Sequence, residues 1–310
     1  MPEKEQGYEY FTDGDTGKEY AVYRGTGEVL NAVTVTVPEG TYFKTPEQQE
    51  ADRRRKEGLQ KKLEQDERRQ QRNASLRELG KYFFAVRVDF GGLSDATVAR
   101  LIYLATFLSM DNGRLYRTER TPLTKKSLPE LMKLSKKTAD SFLKEVSAYI
   151  NTDGDNCLRM SGDVFTRGKL HTGQYTDMQR LYRNTIRELY RKTPANKHRL
   201  LGIIFRFLPY VNREYNVLCW NIGEECIDDV ELLSLKEFCE LAQWNYGKLY
   251  RLRNDLKKLT FNVNGRQELF CNFVDSGLGK RNIRIFVNPH IMYNGSDYKK
   301  VEVLGKFCEL

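Results

Sequence analysis

The chain has 310 residues, 40% of them apolar and 12% aromatic, which is enough to form the cores of two or three small domains. Its 51 lysine and arginine residues against 42 acidic residues leave a net charge of +9. Such an excess is typical of nucleic-acid-binding proteins, but many basic proteins bind no nucleic acid, so the charge alone is a weak indication.

The six cysteines include no C-x2-C pair, and the chain has only three histidines. This argues against a zinc module and against a disulfide-stapled secreted domain, and it predicts buried, reduced thiols. The N-terminus "MPEKEQGYEYFTDG" lacks a signal-peptide pattern, and no window approaches eighteen apolar residues. We therefore expect a soluble cytoplasmic protein that does not bind a membrane.

Residues 1–46 are predicted to form a small β-rich element. The segments "YEYF", "EYAVYR" and "VLNAVTVTV" alternate apolar and polar residues and are separated by the turns "TDGDTG" and "GTGE". "DGDTG" also begins like a calcium loop, but the position of the bidentate glutamate falls on Arg24. In the similar stretch "DGDN", that position falls on Val164, so both segments are interpreted as hairpin turns.

Residues 47–78 are predicted to be a charged helix or linker. Between 47 and 72 the chain carries nine basic and seven acidic side chains, and Leu59 and Leu63 are the only large apolar residues. A solvated helix or flexible linker explains this composition, and an arm that touches phosphates is the alternative.

Two later segments, 79–170 and 197–298, match each other in the order of their motifs. "LIYLATFLSMDN" at Leu101 aligns with "LGIIFRFLPYVN" at an offset of 100. "SLPELMKLS" aligns with "SLKEFCELA" at an offset of 107, and "DVFTRG" aligns with "HIMYNG" at an offset of 127. The pattern predicts an internal duplication whose second copy carries longer insertions.

In the first copy, Ser94 is predicted to cap a helix that buries one face, formed by Val98, Leu101, Ile102, Ala105 and Leu108. After the extended "RLYRT", Ser127 is predicted to cap a second helix. Ser135 is predicted to cap a third, from Lys136 to about Ile150, by accepting the N–H of Thr138. Two helices this close must cross steeply, which predicts a helix-turn-helix, and "NCLRMS" and "DVFTRG" are then predicted to pair as a hairpin.

The second copy repeats this order, with helices at 199–210, 234–241 and 244–259 and strands "NVLCWNI", "ELFCNFV" and "IRIFVNP". Helix, strand, helix, helix, strand, strand is the order of a winged helix. The sequence therefore predicts an α+β fold: two tandem winged-helix domains, preceded by the β-element and the charged helix or linker.

The segment "LPELMKLSKKTADSFLKEV" with its trailing hairpin resembles the winged helix-turn-helix domains of bacterial and phage regulators. "RIFVNPHIMYNG" resembles the closing strand of replication initiators from plasmids and phages of Gram-positive bacteria. The resemblance extends from Leu79 to Gly295. It implies a DNA-binding protein that acts in a bacterial host cell in transcription regulation or origin recognition.

Recognition helices insert their leading turns into the major groove, and wings contact phosphates or the minor groove. In the first copy Lys137 and Ser141 are placed for base edges and Lys136 and Lys144 for phosphates, while Trp244 of the second copy is expected to pack. The full set of predicted DNA-binding residues is Lys136, Lys137, Thr138, Ser141, Lys144, Arg167, Gln243, Asn245, Tyr246, Lys248, Arg251, Lys280, Arg281 and Arg284.

Residues 171–196 are predicted to contain an amphipathic linker helix, whose apolar face from Met178 to Tyr190 either packs the two domains together or forms a homodimer or protein interface at 176–191. Residues 299–310 are predicted to be a C-terminal tail.

We find no convincing catalytic, cofactor or metal motif, although carboxylate-only nuclease sites can escape notice because their ligands come from distant segments. The leading interpretation is a non-enzymatic protein without a cofactor, in which two domains bind neighbouring half-sites of double-stranded DNA. The alternative is a winged-helix adaptor that docks a polymerase, a replisome or a defence protein.

Overall fold

A computed structural model describes residues 8–23, 25–27, 29–31, 46–86, 90–110, 112–118, 120–168, 178–275 and 283–308. The protein has a mixed α+β fold with small antiparallel sheets, as the sequence predicts. Contacts divide the chain into two units, residues 1–63 and 64–310.

The helices are α1 (Pro46–Leu79), α2 (Asp95–Ala105), α3 (Leu128–Met132), α4 (Lys136–Glu145), α5 (Arg183–Lys192), α6 (His198–Phe205), α7 (Leu235–Leu241), α8 (Leu249–Lys257) and α9 (Tyr298–Gly305). The strands are β1 (Tyr8–Thr12), β2 (Glu19–Tyr23), β3 (Val29–Asn31), β4 (Tyr82–Val86), β5 (Ile150–Thr152), β6 (Leu158–Met160), β7 (Phe165–Thr166), β8 (Met178–Tyr182), β9 (Thr260–Val263), β10 (Arg266–Leu269), β11 (Cys271–Asp275) and β12 (Ile283–Val287).

The first unit contains a three-stranded antiparallel sheet in the order β1-β2-β3, which confirms the predicted β-element over residues 8–31. In the first turn, the Oδ1 atom of Asp13 accepts the backbone N–H groups of Asp15 and Thr16 at 2.9 and 3.2 Å. Gly17 has φ +65°, which glycine adopts without strain. These features confirm a hairpin turn.

The charged segment is a helix, α1, and not a flexible linker. The side chains of α1 are exposed along most of its length. In its last turns, which belong to the second unit, Ser75 Oγ donates to Ser296 O at 2.9 Å, and Leu79 is buried. Within the described ranges, no helix is both long enough and apolar enough to cross a membrane.

The second unit contains one backbone hydrogen-bond pattern twice. The N–H of Leu115 donates to Leu158 O, and the N–H of Leu218, 103 positions later, donates to Ile285 O. In the same way Tyr116 N–H donates to Phe107 O, and Cys219 N–H donates to Tyr210 O. These pairs place the first helices of the two copies at an offset of 103, so the alignment at 100 is wrong by three residues.

The segments that begin α3 and α7 are also shifted by three from the expected alignment, to an offset of 110. Thr124 and Ser234 are the equivalent N-caps, and their N–H groups are accepted by Ser127 Oγ and Glu237 Oε2. Ser127 therefore has the role of the third residue of a capping box. The prediction that its side chain caps α3 is wrong. The Ser234 cap is confirmed, because its hydroxyl oxygen accepts the N–H of Glu237 at 3.2 Å.

Strands β4 and β8 introduce the two copies and pair with each other antiparallel, with Phe84 opposite Arg180 at the centre. They are equivalent, because Val86 N–H donates to Val164 O in one copy and Tyr182 N–H donates to Ile291 O in the other. Two equivalent strands paired antiparallel are related by a local two-fold axis between them. One hydrophobic core extends across both copies, through α2 and α6.

The predicted hairpin of the first copy is wrong in its strands. Strand β6, which contains "LRM", pairs with β5 around the turn at 153–157, and β7 pairs with β4 instead. The reason is that Leu158 and Met160 also form backbone hydrogen bonds with Leu115 and Gly113. These bonds fix β6 next to the earlier extended segment. In the second copy the predicted pair, β11 with β12, is confirmed.

The second copy also contains a hairpin that the sequence reading missed. Strands β9 and β10 pair around Asn264 and Gly265, whose φ angles are +48° and +82°. Asn-Gly with both φ angles positive is the signature of a type I′ turn, so the dipeptide itself was an available signal.

The predicted linker helix is wrong over Met178–Tyr182, which forms β8; α5 begins only at Arg183. Four of these five residues are buried, a pattern that suits a strand covered on both faces rather than one side of a helix. Residues 299–310 are not simply a tail, because most of α9 lies there. Cys226 and Cys308 are exposed, which corrects the expectation that all six thiols are buried.

Helices α2 and α6 approach most closely at Gly202. A Cβ atom on this residue would lie 1.7 Å from the backbone oxygen of Asp95, so the contact requires glycine. The Asp95 side chain also pairs with Arg206, at 2.6 Å from Nε to Oδ1, where both groups are largely buried. The two copies are thus joined by backbone contact and by an ion pair.

We predict that Gly202→Ala lowers the free energy of unfolding by about 1–3 kcal/mol, since a rigid backbone oxygen blocks the new methyl group. Helix propensity alone would predict a gain of about 1 kcal/mol, so the sign of the change is diagnostic. Urea denaturation followed by circular dichroism measures it. Gly223→Ala, where a Cβ would meet nothing within 4 Å, is the control.

Candidate nucleic-acid interface

Helices α3 and α4 are joined by a three-residue turn. Lys133 takes the left-handed conformation at φ +54°, which ends α3, and Leu134 packs against the core. Ser135 then caps α4, as predicted: its hydroxyl oxygen accepts the N–H of Thr138 at 3.2 Å. The left-handed residue redirects the chain three residues before α4 begins, so the two helices cannot be collinear.

The two faces of α4 are as predicted. Ala139, Phe142 and Val146 are buried at 1% exposure or less. Lys136, Lys137, Ser141 and Lys144 are exposed, and among the described residues none of these lysines forms an ion pair. Thr138 differs, because it is half-buried and its hydroxyl lies 2.8 Å from that of Ser135. It contributes to the cap, whereas Lys136, Lys137 and Ser141 project from the first two turns of the helix and Lys144 projects from its last turn.

The corresponding helix of the second copy begins later than predicted. The segment Tyr246–Lys248 forms one 3₁₀ turn, and the α-helix starts at Leu249. Asn245 is the N-cap, and its Oδ1 atom accepts the N–H of Gly247 at 2.8 Å. Gly247 is the reason for the late start, since glycine gives up more backbone freedom in a helix than other residues do.

The contact residues predicted on and before α8 are all exposed: Gln243, Asn245, Tyr246, Lys248 and Arg251. The Arg251 side chain is 82% exposed, and its Nε atom lies 4.0 Å from Asp255 Oδ2, which makes a weak surface ion pair. Asn245 Oδ1 already accepts one hydrogen bond, so bidentate recognition of adenine by this amide would use the second lone pair of the same oxygen. Trp244 packs against the core beneath Arg199, as predicted.

The sequence reading missed Tyr250, which is 77% exposed and adjoins Arg251 on α8. It is equivalent, at the offset of 110, to Asp140 on α4. The hydrophobic spacing of Leu249, Leu252 and Leu256 already assigned Tyr250 to the outward face, so the signal was available.

The tip of the first hairpin is acidic. Arg114 pairs with Asp153 at 2.7 Å and with Asp155 at 2.8 Å, so its charge is neutralised inside the turn. Arg159 donates to Asn112 O at 2.8 Å. This tip therefore offers phosphate little net positive charge.

Arg167 is not brought together with the residues of α4. It is half-buried and donates to Leu108 O at 2.9 Å, close to Arg183 and Arg187. Arg187 donates to the carbonyl oxygen of Thr106 at 2.7 Å, and Arg183 donates to the same oxygen. These guanidinium groups satisfy carbonyl oxygens at and beyond the end of α2, where positive charge is favourable.

Burial lowers the pKa of Arg183 to about 9 and that of Arg187 to about 10, with neighbouring arginines adding to the Arg183 shift. Burial alone lowers the pKa of Arg167. In the part of the chain that the structure describes, no carboxylate pairs with any of the three. Arg167 thus belongs to a cluster of positive charge that supports the fold.

The predicted second wing lies between β11 and β12. Two of its predicted contact residues, Lys280 and Arg281, lie outside the described residues. Arg284 lies on β12 opposite Val274, half-buried, and its Nε atom has no hydrogen-bond partner among the described residues.

Comparison with protein-family models, with curated proteins and with solved structures finds no match to this chain.

We predict that Ser135→Ala lowers the free energy of unfolding by about 1 kcal/mol, because the N–H of Thr138 loses its acceptor. Thermal and urea unfolding measure the change. Ser141→Ala, an exposed position on the same helix, should change stability by less than about 0.5 kcal/mol. Equal effects at the two positions would contradict the capping role of Ser135.

Proposed function

We propose that the chain is a DNA-binding protein whose two copies are winged-helix domains, and that α4 and the 246–257 segment lie in the major groove of double-stranded DNA. The observation that carries the proposal is the leading half of α4. It presents Lys136 and Lys137 outward, and Lys144 extends the same exposed face in the last turn; none of the three has an ion-pair partner among the described residues.

The energetic argument rests on counterion release. Each lysine that contacts a phosphate displaces condensed cations from the duplex, so unpaired lysines contribute affinity that lysines already bound to carboxylates do not. The second copy supplies Lys248 and Arg251 on the corresponding segment, at the positions of Thr138 and Ser141, together with the exposed Tyr246 and Tyr250, whose hydroxyl groups can donate to phosphate oxygens.

The symmetry of the second unit suggests the form of the target. Two equivalent helices related by a local two-fold axis would meet two half-sites in inverted orientation. Because "KKTADS" in one copy corresponds to "YGKLYR" in the other, the two half-sites would differ in base sequence. The expected biological role is transcription regulation or origin recognition.

The adaptor alternative is favoured by one observation, the exposed aromatic pair of Tyr246 at 53% and Tyr250 at 77%. Exposed tyrosines are common in protein interfaces. An adaptor would use these residues but would not depend on the lysines of α4, which provides a means of separating the two functions.

We predict that the purified chain selects a small set of duplex fragments from a random pool, and that its affinity falls steeply with salt. Lys137→Ala should weaken binding to the selected site by about 1–3 kcal/mol if it contacts a base edge, and Lys136→Ala should reduce the salt slope by about 1 if it contacts a phosphate. Fluorescence anisotropy across a salt series gives both quantities.

Lys192→Ala is the matched control, because Lys192 is an exposed lysine on α5 that already pairs with Glu188 at 2.8 Å. Undiminished DNA binding by a Lys136/Lys137 double alanine variant would refute the proposed interface. Absence of DNA binding at low salt, with retention of a partner protein that Tyr250→Ala releases, would establish the adaptor alternative instead.

A further inference from the structure

Three side chains that can ligate a metal ion converge beside α9: Glu268 on β10, His290 after β12, and Glu302 on α9. His290 Nδ1 lies 3.2 Å from Glu268 Oε2 and 3.4 Å from Glu302 Oε1. One ligand atom of each residue lies within 4.8 Å of the other two. Glu268 and His290 are 5% and 8% exposed, so the cluster is enclosed by protein on most sides.

The distances fit a metal centre. Bonds of about 2.0–2.1 Å from zinc to nitrogen and oxygen, arranged tetrahedrally, place neighbouring ligand atoms about 3.3–3.4 Å apart. Within the described residues, the buried His290 Nδ1 atom has no hydrogen-bond partner of good geometry, although both carboxylates lie this close to it. Atoms that lie close together without being directed at one another are the arrangement expected when they face a common ion.

Asn288 holds the Glu268 carboxylate and the backbone of His290 in place. It is fully buried, its Nδ2 atom donates to Glu268 Oε2 at 2.9 Å, and its Oδ1 atom accepts the backbone N–H of His290 at 2.8 Å. Supporting hydrogen bonds of this kind orient the ligands of metal sites. The Tyr298 ring packs edge-on against His290, with ring centroids 5.5 Å apart.

We propose that Glu268, His290 and Glu302 form a binding site for a divalent transition-metal ion, with Zn²⁺ as the favoured occupant. An imidazole with two carboxylates suits Zn²⁺, whereas Mg²⁺ and Ca²⁺ prefer all-oxygen sites. The cluster borders a cavity of about 310 Å³ that Asn264 and Arg266 also line, which leaves room for water as a further ligand. The site is separate from the proposed DNA-binding function.

Its structural effect would be to fasten α9. Strand β10, the turn after β12 and α9 are separate elements of the C-terminal part of the chain, and an ion bound to all three would cross-link them. A competing arrangement uses no metal: a protonated His290 would bridge the two carboxylates as an ion pair. Metal retention and the effect of Zn²⁺ on stability distinguish the two arrangements.

The test uses the full chain, stripped with EDTA and then dialysed against Zn²⁺. We expect about one retained Zn²⁺ per chain by elemental mass spectrometry, and a higher melting temperature with Zn²⁺ than with EDTA. Glu302→Gln and His290→Ala should weaken Zn²⁺ binding by at least about tenfold, since even loss of a supporting hydrogen bond costs that much. Glu240→Gln, an exposed position on α7, is the control.

Circular dichroism of Glu302→Gln, whose side chain is partly exposed, shows whether the variant folds. Co²⁺ substitution supplies a second readout, because its visible spectrum reports coordination by nitrogen and oxygen ligands. A wild-type chain that retains no Zn²⁺ and melts at the same temperature with and without it would overturn the proposal. Zn²⁺ binding that is unchanged in both ligand variants would overturn it as well, since the ion would then be bound elsewhere.

Discussion

The antiparallel pairing of β4 with β8 is the constraint on which the second unit depends. These strands introduce the two copies, and pairing them about a local two-fold axis brings α2 against α6, where Gly202 permits backbone contact. The largest hydrophobic core then extends through both copies. The outward faces of α4 and α8 are positioned by this shared interior, since their buried residues belong to it.

Local signals in the sequence predicted local structure well. The caps at Ser94, Ser135 and Ser234, the buried stripes of α4 and α8, and the exposed faces all follow from side chains within a few residues of one another. The three-residue errors in alignment have a physical cause. Serine, threonine and glutamate all occur in the N-terminal turn of a helix, so Ser127 resembles an N-cap in sequence. In the structure Thr124 is the N-cap, and Ser127 accepts its N–H.

Non-local structure was predicted poorly, because pairing partners are not visible in periodicity. Met178–Tyr182 reads as part of a helical stripe, yet β4 supplies a strand partner that single-segment reasoning does not include. The same limit applies to Arg167, whose carbonyl partner is Leu108, and to the Glu268, His290 and Glu302 cluster, whose members are spread over three elements. Sites of these kinds depend on tertiary contacts that only the fold defines.

The fusion of two equivalent halves in one chain has a consequence for how such a molecule behaves on dilution. A homodimer with the same interface would separate into monomers as its concentration fell, and its activity would follow mass action. Here both halves belong to one chain, so they stay together at any concentration. The two halves also differ in their outward residues, "KKTADS" in one and "YGKLYR" in the other. A single chain of this design can therefore act as an asymmetric pair at very low copy number.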